Sequence, residues 1–415
     1  MTLIVRNSRN TGRGWPPFLL SYATFVLVGI GAGGGGVLLL AQMTDYGVDR
    51  ATIGITFFTG SAGYVLAALA TGPLIHRFGV RIALAAGGGA YVVAGLYLAT
   101  RPAFVVFVLV QLVTGFGVGI LESVLNAYLA ALPNATARLN RLHAFFGVGA
   151  LIGPVLAARI VAVAPWTVVW LVMALACVPL VAGFLVAYPG RPAPAAAAAP
   201  AAPAADPTTD PAGPAARGLL GAAMREPGVL LGAAMLSVYV GLEIGVGNWV
   251  FSYLVQAHLL SESLAGYAVS GYWLGLTLGR FVISPVAEKT GVSTGAMIYG
   301  CLAGVIAAAG LAWLSPTAAV TAIALVLLGF FLGPIFPTTM SIAPRLAQPR
   351  LVPTAIGVMN AASLIGGSAL PWVAGAIAQS TGIWTILPYA LTLGLLQFAV
   401  WWPIARRIRE PRQTA

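Results

Sequence analysis

Three charged residues lie well inside long apolar runs of this 415-residue chain: Glu122, Glu243 and Arg280. An ionisable side chain at bilayer depth costs at least ~2.5–3.5 kcal/mol, so it normally faces a water-filled cavity or a partner. A carboxyl in such a place can take up and release a proton as its access to water changes. Glu122 is the first candidate for that role and Glu243 the second, with an ion pair to Arg280 as the alternative for Glu243. Arg280 itself, towards one end of its run, reads as structural.

Around these charges stand groups that could recognise a polar solute: Asn126, Asn248, Trp249, Tyr253, Trp273, Asn360 and His143. Amides hydrogen-bond hydroxyls, and an aromatic face can stack on a sugar ring or an apolar ligand. Each taken singly is also explained by packing or by polar contact between helices. Glu243 and Asn248 are five apart, which does not put them on one helix face; Gly245 and Gly247 between them invite local unwinding. The two cysteines, Cys177 and Cys301, read as small buried hydrophobes, and no Cys/His cluster suggests a metal.

The elements that must hold these residues follow from composition. Of the chain, 59% is hydrophobic and 7% charged, whereas a soluble domain needs roughly 25% charged residues. The apolar runs are unalternating and about twenty residues long, the length of a membrane-crossing helix rather than of a barrel strand. An all-α membrane protein of twelve transmembrane helices is expected, with spans near 18–41, 51–74, 82–100, 103–130, 143–164, 166–188, 229–256, 265–286, 295–314, 318–343, 352–378 and 382–404. The first of these, from Phe18 to Ala41, is too long for the apolar region of a signal peptide and is expected to be an uncleaved span. A Pro/Ala-rich stretch after the sixth span reads as an extended linker. It divides the chain into bundles at 1–188 and 229–415, with the linker at 189–228. The net charge of +11 fits basic loops on the cytoplasmic side better than nucleic acid. With the N-terminus inside, seventeen basic residues fall on the cytoplasmic side and only Arg50, Arg101 and Arg159 outside, so both termini are expected in the cytoplasm.

The two bundles repeat one another. Gly63, Pro73 and Gly79 recur as Gly275, Pro285 and Gly291, each 212 positions later, and Gly29, Gly33 and Gly35 recur as Gly241, Gly245 and Gly247 at the same offset. Leu151-Ile152-Gly153 recurs as Leu364-Ile365-Gly366, 213 later. Two related six-helix halves imply a pseudo-two-fold axis along the membrane normal and a solute path between them.

After the second span, Gly72, His76, Arg77, Gly79 and Arg81 resemble the loop signature G-x-x-x-D-R-x-G-R-R of the major facilitator superfamily, with His76 in the acidic position. The repeat in the second half keeps an acid as Glu288, followed by Lys289 and Gly291. The resemblance assigns these residues to latching and gating between the halves, and places spans four, seven and eight, which carry Glu122, Glu243 and Arg280, around a central cavity. Narrower motifs resemble the fucose permease branch of proton-coupled sugar symporters: Glu122 to Asn126, Arg138-Leu139-Asn140, Phe145, Gly149-Ala150, Gly279-Arg280-Phe281 and Phe336-Pro337-Thr338. That branch has an acid in its first span; here the first span is glycine-rich and acid-free.

What the resemblance implies is a secondary transporter, not an enzyme, moving a sugar or similar solute by proton-coupled alternating access. The expected partners are a small-molecule substrate and the lipid bilayer, with no nucleic acid, no cofactor beyond the coupling proton, a monomeric state and a place in the inner (plasma) membrane. Proton-coupled export of drugs or secreted metabolites is the alternative, kept by Gly149-x-x-x-Gly153-Pro154, which resembles part of an antiporter motif. No phosphate-binding loop of the ATP-driven type is present.

Overall fold

The computed structural model describes residues 16–188 and 214–409, and helix is the only extended regular structure among them. In chain order the helices are α1 (Pro16–Tyr46), α2 (Arg50–Ile53), α3 (Ile55–Leu98), α4 (Phe104–Ala130), α5 (Ala135–Val161), α6 (Thr167–Ala187) and α7 (Pro214–Ala223). They continue as α8 (Pro227–Ala257), α9 (Glu262–Lys289), α10 (Thr294–Leu314), α11 (Ala318–Leu332), α12 (Ile335–Ser341), α13 (Ala343–Leu346), α14 (Val352–Thr381) and α15 (Ile386–Arg409).

Among the described residues, ten helices are long and apolar enough to cross a membrane. One of them runs 49 residues from Arg50 to Leu98. At 1.5 Å per residue it would be about 70 Å long, over twice the hydrocarbon thickness. The chain breaks it at Gly79, whose φ of 81° and ψ of 167° suit glycine alone. The twelve expected segments all overlie helix. Of these, α9 is missing from the ten, because Arg280 and a run of Gly, Ser and Tyr dilute its apolar character.

The helices gather into two compact units. Of the described residues, the first takes 16–32, 59–149 and 165–188; the second takes 33–58, 150–164 and 214–409. These are not the two halves of the sequence repeat, since the ends of α1 and α5 and the start of α3 group with the second half. In the first unit, Phe25, Leu84, Ile120, Leu125, Phe184 and Tyr188 form the core. Tyr188 OH donates to the Pro17 carbonyl at 2.8 Å, and Arg81 Nε donates to the Tyr188 carbonyl at 2.8 Å. In the second unit, Leu236, Met359 and Ala343 pack together, and Trp249 Nε1 donates to the Pro371 carbonyl at 2.7 Å.

The sequence repeat reappears as geometry. A Cβ on Gly63 would strike the Leu112 carbonyl of α4, and one on its counterpart Gly275 would strike the Val326 carbonyl of α11. Backbone thus touches backbone at matching points in each half, as small residues permit. Gly79 and Gly291 both sit at positive φ, 81° and 69°.

Of the linker expected at 189–228, residues 189–213 lie outside the described residues. Its last part is helix α7, and α8 begins at Pro227. Good helix formers, Ala and Leu, fill α7, and Ala222 has a surface to pack on.

Candidate functional site

Glu122 projects from the middle of α4 in the first unit, partly exposed. Tyr64 OH, on α3, donates to its Oε2 at 2.8 Å. Among the described residues no cation pairs with this carboxylate. One turn on, Asn126 Nδ2 donates to the Glu122 main-chain carbonyl at 2.8 Å, so this amide is already engaged on its own helix. His143 on α5 is exposed and meets the Phe25 ring edge-on at 5.6 Å.

In the second unit Glu243 stands near the centre of α8, and its Oε1 accepts from Arg280 Nη2 of α9 at 3.1 Å. The two side chains are 11% and 31% exposed, so the pair is reached from the arginine's side. Tyr272 OH donates to the Glu243 main-chain carbonyl at 3.0 Å. Tyr239 OH, which interacts with both Glu243 and Arg280, and Arg280 Nε are buried beside the pair, and Trp273 Nε1 is buried as well. The Trp273 ring lies against Gly247. Asn248 faces Gly35, and the backbone of Gly36 lies against the Gly247 and Asn248 carbonyls. Trp249 is fully buried, its indole N–H on Pro371 and its ring meeting Phe57 at 6.2 Å. Tyr253 OH lies 3.3 Å from His258 Nε2, and Thr321 Oγ1 is at the same distance from that nitrogen. Asn360 is exposed on α14.

The structure therefore brings Glu243, Arg280 and Trp273 together where α8 meets α9, turns Asn248 to α1 in the same unit, and leaves Glu122, Asn126 and His143 in the other. Gly72, His76 and Arg77 are exposed near the Gly79 bend, where the Arg77 guanidinium sits 5.2 Å from the Phe78 ring centre. Glu288 and Lys289 are exposed at the last turn of α9.

Three polar groups escaped the sequence reading. Tyr64 and Tyr272 had no signal, because a tyrosine in an apolar run reads as packing. Arg50 carries in the sequence only the signal of a loop charge, yet its Nη2 donates to Gln256 Oε1 at 2.6 Å and its Nη1 to Gln379 Oε1 at 3.3 Å. Trp372 Nε1 donates to the Ala51 carbonyl next to it, at 3.0 Å. These contacts join α2 to α8 and α14 within the second unit. Among the described residues no group of three or more His, Cys, Asp or Glu could hold a metal.

The Major Facilitator Superfamily model matches residues 18–371 and 245–415. The chain belongs to the Major Facilitator Superfamily. The chain is similar to "Bypass of stop codon protein 6" of Saccharomyces cerevisiae, 26% identical over 92% of this chain and 80% of that protein. The "Glucose/mannose transporter GlcP" of Bacillus subtilis is 21% identical over 90% of this chain and 92% of the relative. A "Putative glucose/galactose transporter" of Helicobacter pylori is 31% identical over 40% of each. Among solved structures, a D-xylose-proton symporter superposes with a TM-score of 0.70 at 14% identity, covering 94% of this chain and 98% of that one. The nucleoside transporter NupG does so with a TM-score of 0.74 at 14% identity, covering 93% and 99%. At such identities these two show the major facilitator fold alone. The protein is a multi-pass membrane transporter, not an enzyme.

Proposed function

We propose that this transporter moves a small polar solute, a sugar or sugar-like molecule, by alternating access of twelve spans, and that a proton on Glu122 drives it. The observation that carries the coupling is the pairing of Glu122 with a phenol and, among the described residues, with no cation. A carboxylate held by an arginine keeps its charge; one held only by a tyrosine hydroxyl can take a proton and keep its hydrogen-bond partner. The names of the relatives, transporters of glucose with galactose or mannose, support the solute class. So does the resemblance of Glu122 to Asn126 to the sugar symporter motif. Asn248 and Asn360 are then the polar groups offered to the solute, with Trp273 buried against Gly247, and Asn126 lies one turn from the proton site; His143, exposed on α5, is a further candidate contact. The basic-residue bias supports a cytoplasmic place for both termini, and the plasma membrane and a monomeric state complete the proposal.

The test is uptake into proteoliposomes of defined orientation, screened with glucose, galactose, mannose and xylose under an imposed pH gradient. A proton gradient should drive accumulation above equilibrium. Glu122→Gln should abolish that accumulation while leaving downhill counterflow, because the solute path survives the loss of the proton. Accumulation indifferent to the gradient, or undiminished in Glu122→Gln, would refute the coupling.

A further inference from the structure

Helix α7 has two faces. Ala222 and Ala223 turn inward, and Ala222 packs on Val229, Leu351 and Ala355 at the starts of α8 and α14. Leu220 and Met224, four apart and so on one stripe, are each 49% exposed. The last turn continues through Met224, whose N–H donates to the Leu220 carbonyl at 2.9 Å. Arg225 follows in the turn that closes the helix, its N–H donating to the Ala222 carbonyl at 3.1 Å. Arg225 is exposed, as are Arg345 and Arg350 on the segment leading into α14, against which α7 packs.

The level of this helix is set by the chain. Ala223 is four residues from Pro227, where the membrane-crossing α8 begins, and four residues reach at most ~14 Å. Its packing partners Val229, Leu351 and Ala355 belong to the first turns of two spans or lie just before them. The helix is therefore held at the depth of the headgroups. An exposed apolar stripe bordered by exposed arginines, at that depth, is the arrangement of a helix lying in a membrane interface. Leu220 and Met224 would reach the acyl boundary while arginine side chains extend to the phosphates.

The geometry points to α7 as an interfacial helix that seats on the leaflet and selects anionic phospholipid, through Leu220 and Met224 below and Arg225, Arg345 and Arg350 around it. The charge of the rim commits the partner: among the described residues from 218 to 230 and 343 to 355, Glu226 is the one acid and the other charges are arginines. This inference rests on the spans being in a membrane and not on proton coupling or on the solute.

It is tested on the full chain carrying Cys177→Ala and Cys301→Ala, with Leu220→Cys or Met224→Cys bearing an environment-sensitive fluorophore. The protein is reconstituted in phosphatidylcholine vesicles with and without phosphatidylglycerol. A shallow spin-labelled lipid should quench both positions several-fold more than aqueous iodide does, and the difference should grow with phosphatidylglycerol. Replacing Arg225, Arg345 and Arg350 by Gln should remove that growth, since each basic residue near an anionic surface is worth about fivefold in binding. Three results would overturn the proposal. Iodide could quench both labels as freely as lipid does, which makes α7 a water-facing helix. Neither quencher could reach them, which makes the cover a protein segment. Lipid quenching could be equal with and without phosphatidylglycerol, which removes the anionic partner.

Discussion

Glu122 and Glu243 are both carboxylates on apolar helices, and they differ in their partners. Glu122 is met by the Tyr64 hydroxyl, Glu243 by the Arg280 guanidinium. A buried ion pair adds little net stability, but removing one member strands a charge at a cost of several kcal/mol. Arg280 is partly exposed, so Arg280→Gln alone is expected to cost about 2 kcal/mol, below the fully buried range. The double replacement, Glu243→Gln with Arg280→Gln, should recover much of that loss, because two neutral amides replace the pair. Unfolding of the four proteins in detergent, read as a double-mutant cycle, measures it; a double variant no better than Arg280→Gln would mean that the pair does not act as a unit. Both acids were legible in the sequence, since a charge in an apolar run stands out. The partner of Glu243 was legible too, as one of only two remaining charges at depth. Tyr64 was not: it lies 58 residues from Glu122 on another helix, and only the packing of α3 on α4 brings them together.

At the scale of elements, the spans were legible because length and apolarity alone determine a membrane helix. The bends and short pieces were not, because they depend on backbone conformation and on neighbours. Gly79 is the clearest case, since its φ of 81° and ψ of 167° lie where a side chain is strained by about 1–3 kcal/mol. Gly79→Ala is expected to lower stability by that amount, and Gly291→Ala, at φ 69°, by a similar or smaller one. Chemical denaturation in detergent checks both, with exposed Gly72→Ala as the control. The four-residue α2 depends on its cap: Asp49 accepts from the Thr52 N–H at 2.7 Å. The side-chain and backbone hydrogen bonds of Thr52 hold the Asp49 carboxyl below its ordinary value of 3.8. A group with a lowered folded pKa gives its stabilisation in full above the unfolded value and loses it as pH falls through the folded one. Exchange of the Thr52 amide should thus be slow at pH 5 and accelerate, relative to its intrinsic rate, below the ordinary carboxyl range. Asp49→Asn, which still caps, should remove that acid sensitivity.

For the whole molecule, the six-plus-six repeat was legible as offsets of 212 and 213, and it returns as matched glycine contacts in each half. Invisible from sequence was that residues 33–58 and 150–164 of the first half pack within one unit with the second half. If the protein alternates access, the contacts of that segment must break once per cycle. Arg50 makes several of them, with its guanidinium on Gln256 and Gln379 and the adjacent Ala51 carbonyl held by Trp372. Its acceptors are neutral amides, so no opposite charge has to be separated when the contact opens. A half-exposed charged hydrogen bond is worth about 1 kcal/mol, or about fivefold in an equilibrium. Arg50→Ala is therefore expected to raise the fraction of molecules with this face open by about that factor. Asn248, which lies against Gly35 and Gly36 in the closed contact, supplies the reporter. In a chain with Asn248→Cys, a membrane-impermeant maleimide added from the side that α2 faces should label several times faster once Arg50→Ala is present. Gln379→Ala should give a smaller increase, since it removes the longer of the two guanidinium contacts together with one to the Arg50 N–H. Labelling that is unchanged in both variants would show that the glycine contacts of α1 and α8, not Arg50, keep this face shut.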